Sequence, residues 1–448
     1  MEIRELEELL EKKDFKSIRN GLSEANPVDL ASLLSELDDR QLALTFRLIE
    51  KERAAETFSY MDAEQQETLL NVFTNKEIKE VLDTMFTDDT VDLLEDMPAN
   101  VVNRVLANLD NETRSRINEI LRYPEDSAGS IMTTEYVDLR PEMTVEIALQ
   151  KIKRVGIKSE TIYTCYVIHK GKLLGSVSAK DLLTSNGDEK ISNLMETNIV
   201  QVGTHEDKED VAKLFRKYDM IAIPVVDSEG CIVGIVTFDD AMDVLTSEAT
   251  EDITKMAAIN PSEDSYFRTS VWKHAKNRIV WLLVLMISAA FTGLILTNYE
   301  NAISSIPLLV SFIPMLMGTG GNCGSQSSTL IIRGLAVDEV KFKDIFRVIW
   351  KELRISLIAG TVLAVANGIR IYLTYRSSEP NALLIAAVVS ASLIVIIVAA
   401  NLIGCVLPLL ASKIKLDPAL LAAPLLTTII DSCAIFVFFS ISSAFLPI

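Results

Sequence analysis

The chain has 448 residues and carries 62 acidic against 43 basic side chains, a net charge of −19 at neutral pH. An acidic surface of this size repels nucleic acid and anionic membrane surfaces and attracts divalent cations, so a nucleic-acid partner is excluded. The three histidines are unclustered. The five cysteines (Cys165, Cys231, Cys323, Cys405 and Cys433) are scattered with no Cys-x-x-Cys pair, which argues against a zinc centre or a disulfide framework and for reduced thiols facing a cytosol.

The charge divides the chain. From Arg278 onward there are 11 basic and 8 acidic residues, a net of +3, which leaves −22 on residues 1–277. An acidic soluble portion therefore precedes a membrane portion. The first residues, MEIRELEELLEKKDF, are charged and amphipathic, and no signal peptide is expected.

Residues 1–126 read as an acidic all-α domain of short helices. Helix starts are expected at Asn26-Pro27, at Asp62 and at Thr87-Asp88-Asp89, where the side chains can cap the first amides. Short apolar pairs recur loosely (SLLSEL, ETLLNVF, DLLEDM, NRVLANL), as in a small superhelical stack.

Residues 127–245 hold two similar α/β units, about 127–187 and 188–245. Each reads strand, helix, strand, tight glycine turn, strand, helix. Both contain Gly-h-h-[Ser/Thr]-x-x-Asp (h, an apolar residue), at Gly175–Asp181 and Gly234–Asp240. This duplication resembles a tandem pair of cystathionine-β-synthase (CBS) domains. The resemblance implies Ser178, Asp181, Thr237 and Asp240 as candidates for holding a nucleotide such as ATP by its ribose. The alternative is that the same hydroxyls and carboxylates cap the helices that follow.

Residues 246–276 read as a connecting helix, acidic at first and basic and aromatic just before the membrane. Residues 277–448 read as an all-α transmembrane domain with five spans, at about 279–297, 303–332, 356–375, 383–411 and 420–446. Basic residues collect before span one, between spans two and three, and between spans four and five. The N-terminal domains are therefore expected in the cytoplasm and the C-terminus outside.

Two spans carry chemistry. The second contains Gly318, Gly320, Gly321, Gly324 and Gly334 interleaved with Asn322, Gln326 and several hydroxyls. That texture suits either a cavity lining or a close helix–helix face. The fifth has one ionisable group, Asp431, with Thr427 and Pro424 on the same helical stripe. A carboxylate in mid-membrane costs at least about 2.5–3.5 kcal/mol, so it is expected to face water or a partner. The simplest partner is a passing cation, and the alternative is a neutral Asp bonded to a neighbouring helix. An oxygen-only environment with one carboxylate suits Mg²⁺, which keeps much of its water. Pro424 is expected to free a carbonyl one turn before it.

The domain order, the GTGGNCGSQS run at 318–327, the LDPAL run at 416–420 and the late Asp431 resemble the MgtE family of magnesium channels over essentially the whole chain. The family often has an Asn where this chain has Ala423. The resemblance implies a homodimer with the pore between subunits, Asp431, Thr427 and Asn322 lining it, and closure by cytosolic Mg²⁺. It maps sensing onto Asp88, Asp92, Asp207, Glu209, Asp219, Asp240, Asp243, Glu248, Glu251 and Asp252. Acidic runs are visible there independently, with Asp89, Glu95, Asp96 and Asp239 among them. Two like charges at about 4 Å repel by roughly 4 kcal/mol at an effective dielectric of 20, and a bridging cation reverses the sign. For each acid alone the alternative is a solvated helix face.

The function expected is a homodimeric Mg²⁺ channel of the cytoplasmic membrane, gated by Mg²⁺. The alternatives are a proton- or sodium-coupled divalent-cation transporter and, in another class, a membrane-anchored CBS nucleotide sensor. No nucleophile–base constellation or phosphate loop supports an enzyme.

Overall fold

The computed structural model describes residues 2–262, 266, 269–337, 339–414, 416–421 and 423–446. The chain forms two compact units, Met1–Thr246 and Ser247–Ile448.

The first unit opens with ten short helices, from Ile3–Glu11 to Asn111–Ile120. Asn26 accepts a hydrogen bond from the Val28 amide with Pro27 in the first helical position, and Asp62 accepts from Gln65. At Thr87 the local structure differs from the expected cap. Thr87 is the first helical residue, and its hydroxyl donates to Glu135 at 2.6 Å. Asp88 and Asp89 thus stand in the first turn, where the helix dipole favours negative charge. Helices pack on the ones two places further along: Pro27–Leu34 on Lys51–Ser59, that helix on Asn75–Leu82, and that one on Ala99–Asn108.

Two three-stranded sheets follow with the same topology. In each, a two-residue strand (Asp138–Leu139; Val202–Gly203) pairs parallel with the first strand of a hairpin. The hairpins are Thr164–His169 with Lys172–Ser178, and Ala222–Val226 with Ile232–Thr237. The duplication read from sequence is therefore structural. One apolar core runs from the helical part (Val91, Leu94, Val101) into the second repeat (Val211, Phe215, Ile223, Val236, Ala241). The first repeat keeps a core of its own around Val137, Val145, Val167 and Leu182.

The connecting helix is not one piece. The Phe238–Met256 helix begins inside the second repeat, and the next long helix, Val271–Thr297, already includes the expected basic edge at Lys273 and Lys276. The Asn260-Pro261 pair lies between them, where proline disfavours helix for the residue before it.

In the second unit four described helices are long and apolar enough to cross a membrane: Val271–Thr297, Phe342–Tyr375, Ala382–Lys413 and Pro424–Phe445. The expected second span is broken into a short helix, Glu300–Ser305, a 3-10 turn, Pro307–Phe312, and the glycine-rich helix Ile313–Ala336. That last helix has 24 residues. At 1.5 Å per residue it is about 36 Å long, enough to span, but glycines and polar side chains dilute its apolar character. Ala382–Lys413 is the central element and packs against the glycine-rich helix, the Ile345–Tyr375 helix and the Ala423–Phe445 helix.

Candidate ion pathway and acidic cluster

The glycine-rich helix has two faces. Gly320, Gly321 and Gly324 are buried, and a Cβ there would meet Ile430 or Thr427 of the Ala423–Phe445 helix within 3.2 Å. These glycines let the Ile430 and Thr427 side chains seat directly on the glycine-rich helix, in line with the close-packing alternative. The other face is open. Gly318, Asn322, Gln326 and Thr329 are all exposed and recur at helical spacing. An exposed amide stripe on a membrane-length helix requires water or a polar partner.

Asp431 is half-buried on the Ala423–Phe445 helix and has no hydrogen bond or ion pair among the described residues. Its helix is fixed on one side by the seam at Ile430 and Thr427. On another, Ser432 and Ser440 bond Thr292 and Tyr299 of the neighbouring chain segment. The carboxylate is thus held in place yet left unpaired. The expectation for Pro424 is corrected. It is the second residue of its helix, so its missing amide costs nothing there and opens no carbonyl in mid-membrane. The hydroxyls of Thr427 and Thr428 both donate to the Pro424 carbonyl at 2.9 Å. Thr427 retains lone pairs to offer an ion or its water.

In the first unit, carboxylates of the Thr87–Glu95 helix, of Glu160 and of the start of the Phe238–Met256 helix act on one another electrostatically. Asp88 is only 8% exposed; burial, then Asp240, Glu160 and Asp89, holds its pKa well above the ordinary range. Burial leads in every neighbour too. Asp89 is raised to about 6 and Asp92 to about 7, each next by the charge of Asp240. Glu160 is raised to about 8, next by Asp239, and one of its oxygens is buried without a partner. Asp240 reaches about 6 although Thr237 bonds it. Thr237 Oγ1 lies 2.5 Å from both Asp239 and Asp240, and its single hydrogen serves one carboxylate at a time. No Lys or Arg forms an ion pair with these acids among the described residues; the nearby Arg116 pairs with Glu135 at 3.2 Å. Nor do three acidic, His or Cys side chains converge as a ready cage for a bare ion among the described residues. The arrangement suits a hydrated cation that spans the gap.

The structure brings together only part of the expected sensing set. Asp88, Asp92 and Asp240 meet, and Asp243 lies beside them, raised by burial and by Asp239. Asp207 instead caps the Lys208–Tyr218 helix, Glu209 pairs with Lys213 at 2.8 Å, and Asp219 ends that helix in a left-handed conformation. The 11-residue helix between them separates Asp207 from Asp219 by about 18 Å, too far for one site. Glu248, Glu251 and Asp252 belong to the second unit. There Glu251 bonds Lys255, and Lys255 reaches Asp417 at 2.8 Å. Ser178 caps its helix by accepting from the Asp181 amide and donates to the Asp181 carboxylate at 2.6 Å. Glu160 was not legible from sequence: it stands in a non-acidic run, KSETIYTC, and only the fold carries it to the cluster.

A membrane-type unit with an unpaired acid on an apolar helix, joined in sequence to an acidic unit with a CBS-like pair, points to the class of cation-transport proteins. The comparisons name the kind. The MgtE divalent cation transporter family matches residues 313–441, the MgtE intracellular N domain matches 25–126, and CBS domains match 128–186 and 191–247. The magnesium transporter MgtE of Thermus thermophilus is 36% identical over 98% of this chain and 97% of its own length. That of Bacillus subtilis is 33% identical over 97% and 94%. The cytosolic domain of the Mg²⁺ channel MgtE, solved in complex with ATP, superposes with a TM-score of 0.52 at 37% identity, over 54% of this chain and 99% of that one. The chain belongs to the MgtE family, whose named members are transporters and not enzymes.

Proposed function

We propose that this chain is a homodimeric, Mg²⁺-selective channel of the cytoplasmic membrane that admits Mg²⁺ down its electrochemical gradient. The carrying observation is Asp431, an unpaired carboxylate on a membrane helix sealed to a glycine-rich helix with an exposed amide stripe. In this proposal the glycine-rich helix also crosses the membrane, as the second of five spans. Asn322 and its stripe face the pore, and a second subunit completes the wall. Asp431 and Thr427 hold the hydrated ion. The N-terminal domains lie in the cytoplasm and the C-terminus outside, as the basic residues between spans favour.

The acidic cluster is the brake. Cytosolic Mg²⁺ bridges Asp88, Asp89 and Asp92 to Asp239, Asp240 and Glu160 and stabilises a closed arrangement. Glu248, Glu251 and Asp252 extend control along the connecting segment. Asp207, Glu209 and Asp219 bind Mg²⁺ only in company with partners outside their own helix. The 37%-identical cytosolic domain solved with ATP supports nucleotide at the CBS pair. A ribose would then displace the Ser178–Asp181 bond, while Thr237 and Asp240 are engaged in the acidic cluster.

The test is flux into liposomes holding a Mg²⁺ indicator and a pH dye, comparing the native chain with Asp431→Asn. Mg²⁺ entry without obligatory proton movement, lost in the variant, is the expected result. Proton exchange in fixed ratio to Mg²⁺ makes the protein a coupled transporter. Absence of flux from folded protein at every cytosolic-side Mg²⁺ level leaves a membrane-anchored sensor.

A further inference from the structure

A second carboxylate lies inside the membrane unit, and the pathway does not use it. Glu352 is 6% exposed and has no ion-pair partner among the described residues. The cations around it are engaged or turned away. Lys351 is exposed, Arg354 sits over the Trp350 ring, Arg333 pairs with Glu339, and Lys413 lies over the Phe342 ring.

Three helices meet at Glu352 in successive layers. Toward the Ala336, Ile345 and Lys413 ends of their helices, Ile331, Ile349 and Cys405 form an apolar layer. One turn further from those ends stand Ser327, Asn401 and Glu352. Ser327 Oγ lies 2.9 Å from Glu352 Oε2 and 3.2 Å from the Asn401 carbonyl. Its single hydrogen serves one of them at a time. The Asn401 side-chain oxygen is buried with no donor, on a residue 6% exposed. Between Asn401 and Cys405, Gly404 approaches the Gly324 carbonyl so closely that a Cβ there would lie 2.4 Å away. The polar layer is thus bounded on one side by the apolar layer and by this close helix–helix approach. It holds one carboxyl group, oxygen ligands, and an orphaned acceptor. A carboxylate buried without a partner is costly unless a proton or a cation neutralises it.

We propose that Glu352, Ser327 and Asn401 form a buried monovalent-cation seat, separate from Asp431, that takes Na⁺. One positive charge cancels the carboxylate, and the hydroxyl, carboxamide and carbonyl oxygens replace water. Mg²⁺ is disfavoured because it dehydrates reluctantly and demands near-octahedral coordination, which one carboxylate and three neutral oxygens do not supply. The proposal requires only the helical bundle and stands whether or not Mg²⁺ passes Asp431.

The test is thermal unfolding of the full chain in lipid nanodiscs, in NaCl against choline chloride at equal ionic strength, at pH 6 and pH 8. The expected result is a saturable Na⁺-dependent rise in Tm of about 3 °C or more in the native chain. The rise persists in Asp431→Asn and is absent in Glu352→Gln. Asn401→Leu needs at least tenfold more Na⁺ for the same rise. An equal Tm in Na⁺ and choline overturns the proposal. So does a rise produced by acid in choline that Na⁺ does not match, since the seat then takes a proton. The Na⁺–choline comparison on the native chain decides the matter even if a variant fails to fold.

Discussion

Two carboxylates show how one residue type is put to opposite uses. Asp431 is left without a partner in the membrane unit, whereas Glu160 is pressed among like charges in the soluble one. For Asp431→Asn, Mg²⁺ flux is expected to fall by tenfold or more with the fold intact, since the amide keeps the shape and loses the charge. Flux that survives the change places ion selection elsewhere. Glu160 predicts an effect on stability. Its pKa of about 8 reflects burial first and then the charges of Asp239 and Asp89. At pH 8.5, where Glu160 is charged, Glu160→Gln is expected to raise the Mg²⁺-free Tm of the chain and to shrink the stabilisation that Mg²⁺ adds. A lower Mg²⁺-free Tm in that variant would mean that Glu160 is a favourable partner, and would remove it from the cluster.

At the level of elements, the glycine seam and the connecting segment make separable predictions. Gly404→Ala puts a Cβ 2.4 Å from the Gly324 carbonyl, a backbone atom that cannot swing away. A loss of about 1–3 kcal/mol is expected, read as a lowered Tm. Gly293→Ala meets nothing within 4 Å and serves as the control, with Tm unchanged or slightly raised. Lys255 joins Glu251 on the Phe238–Met256 helix to Asp417 in the segment leading to the Asp431 helix. Burial lowers its pKa, but the hydrogen bonds and charges of Asp417 and Glu251 outweigh burial and raise it. If this link helps hold the closed state, Lys255→Ala leaks Mg²⁺ at high cytosolic-side Mg²⁺, by roughly two- to fivefold for a partly exposed bridge. Unchanged flux at every Mg²⁺ level assigns the bridge to packing alone. The long apolar helices, the repeat and the lone acid were legible because period and composition report on local structure. The break before Ile313 and the role of Pro424 were not. A proline reads alike inside a helix and at its start, and only the chain's path decides between them. The meeting of Glu160 with Asp88 was hidden for a similar reason: 72 positions of sequence separate them, and tertiary packing alone closes the gap.

For the molecule as a whole, the excess of acid lies in the portion whose cluster has no basic partner, so a proton and Mg²⁺ should be interchangeable there up to a point. The folded pKa values are about 6 for Asp89 and Asp240, about 7 for Asp92 and about 8 for Glu160, each raised first by burial. Unfolded carboxylates titrate near about 4. Between these limits the folded unit binds more protons than the unfolded chain, so its stability falls as pH rises. The contribution is full below about pH 4 and lost progressively through about pH 6–8. Mg²⁺ supplies the missing positive charge, and its stabilising effect should therefore be small at pH 5.5 and large at pH 8. Hydrogen exchange in the Thr87–Glu95 helix and at the start of the Phe238–Met256 helix reads this directly. In chelator, protection is expected to be higher at pH 5.5 than at pH 8, after correction for the intrinsic exchange rate, and millimolar Mg²⁺ should remove the difference. Choline chloride at matched ionic strength should not remove it, because screening by a bulky monovalent ion does not bridge carboxylates. If protection in chelator instead grows with pH, these acids are charged and paired in the folded unit, and the cluster is not a Mg²⁺ sensor.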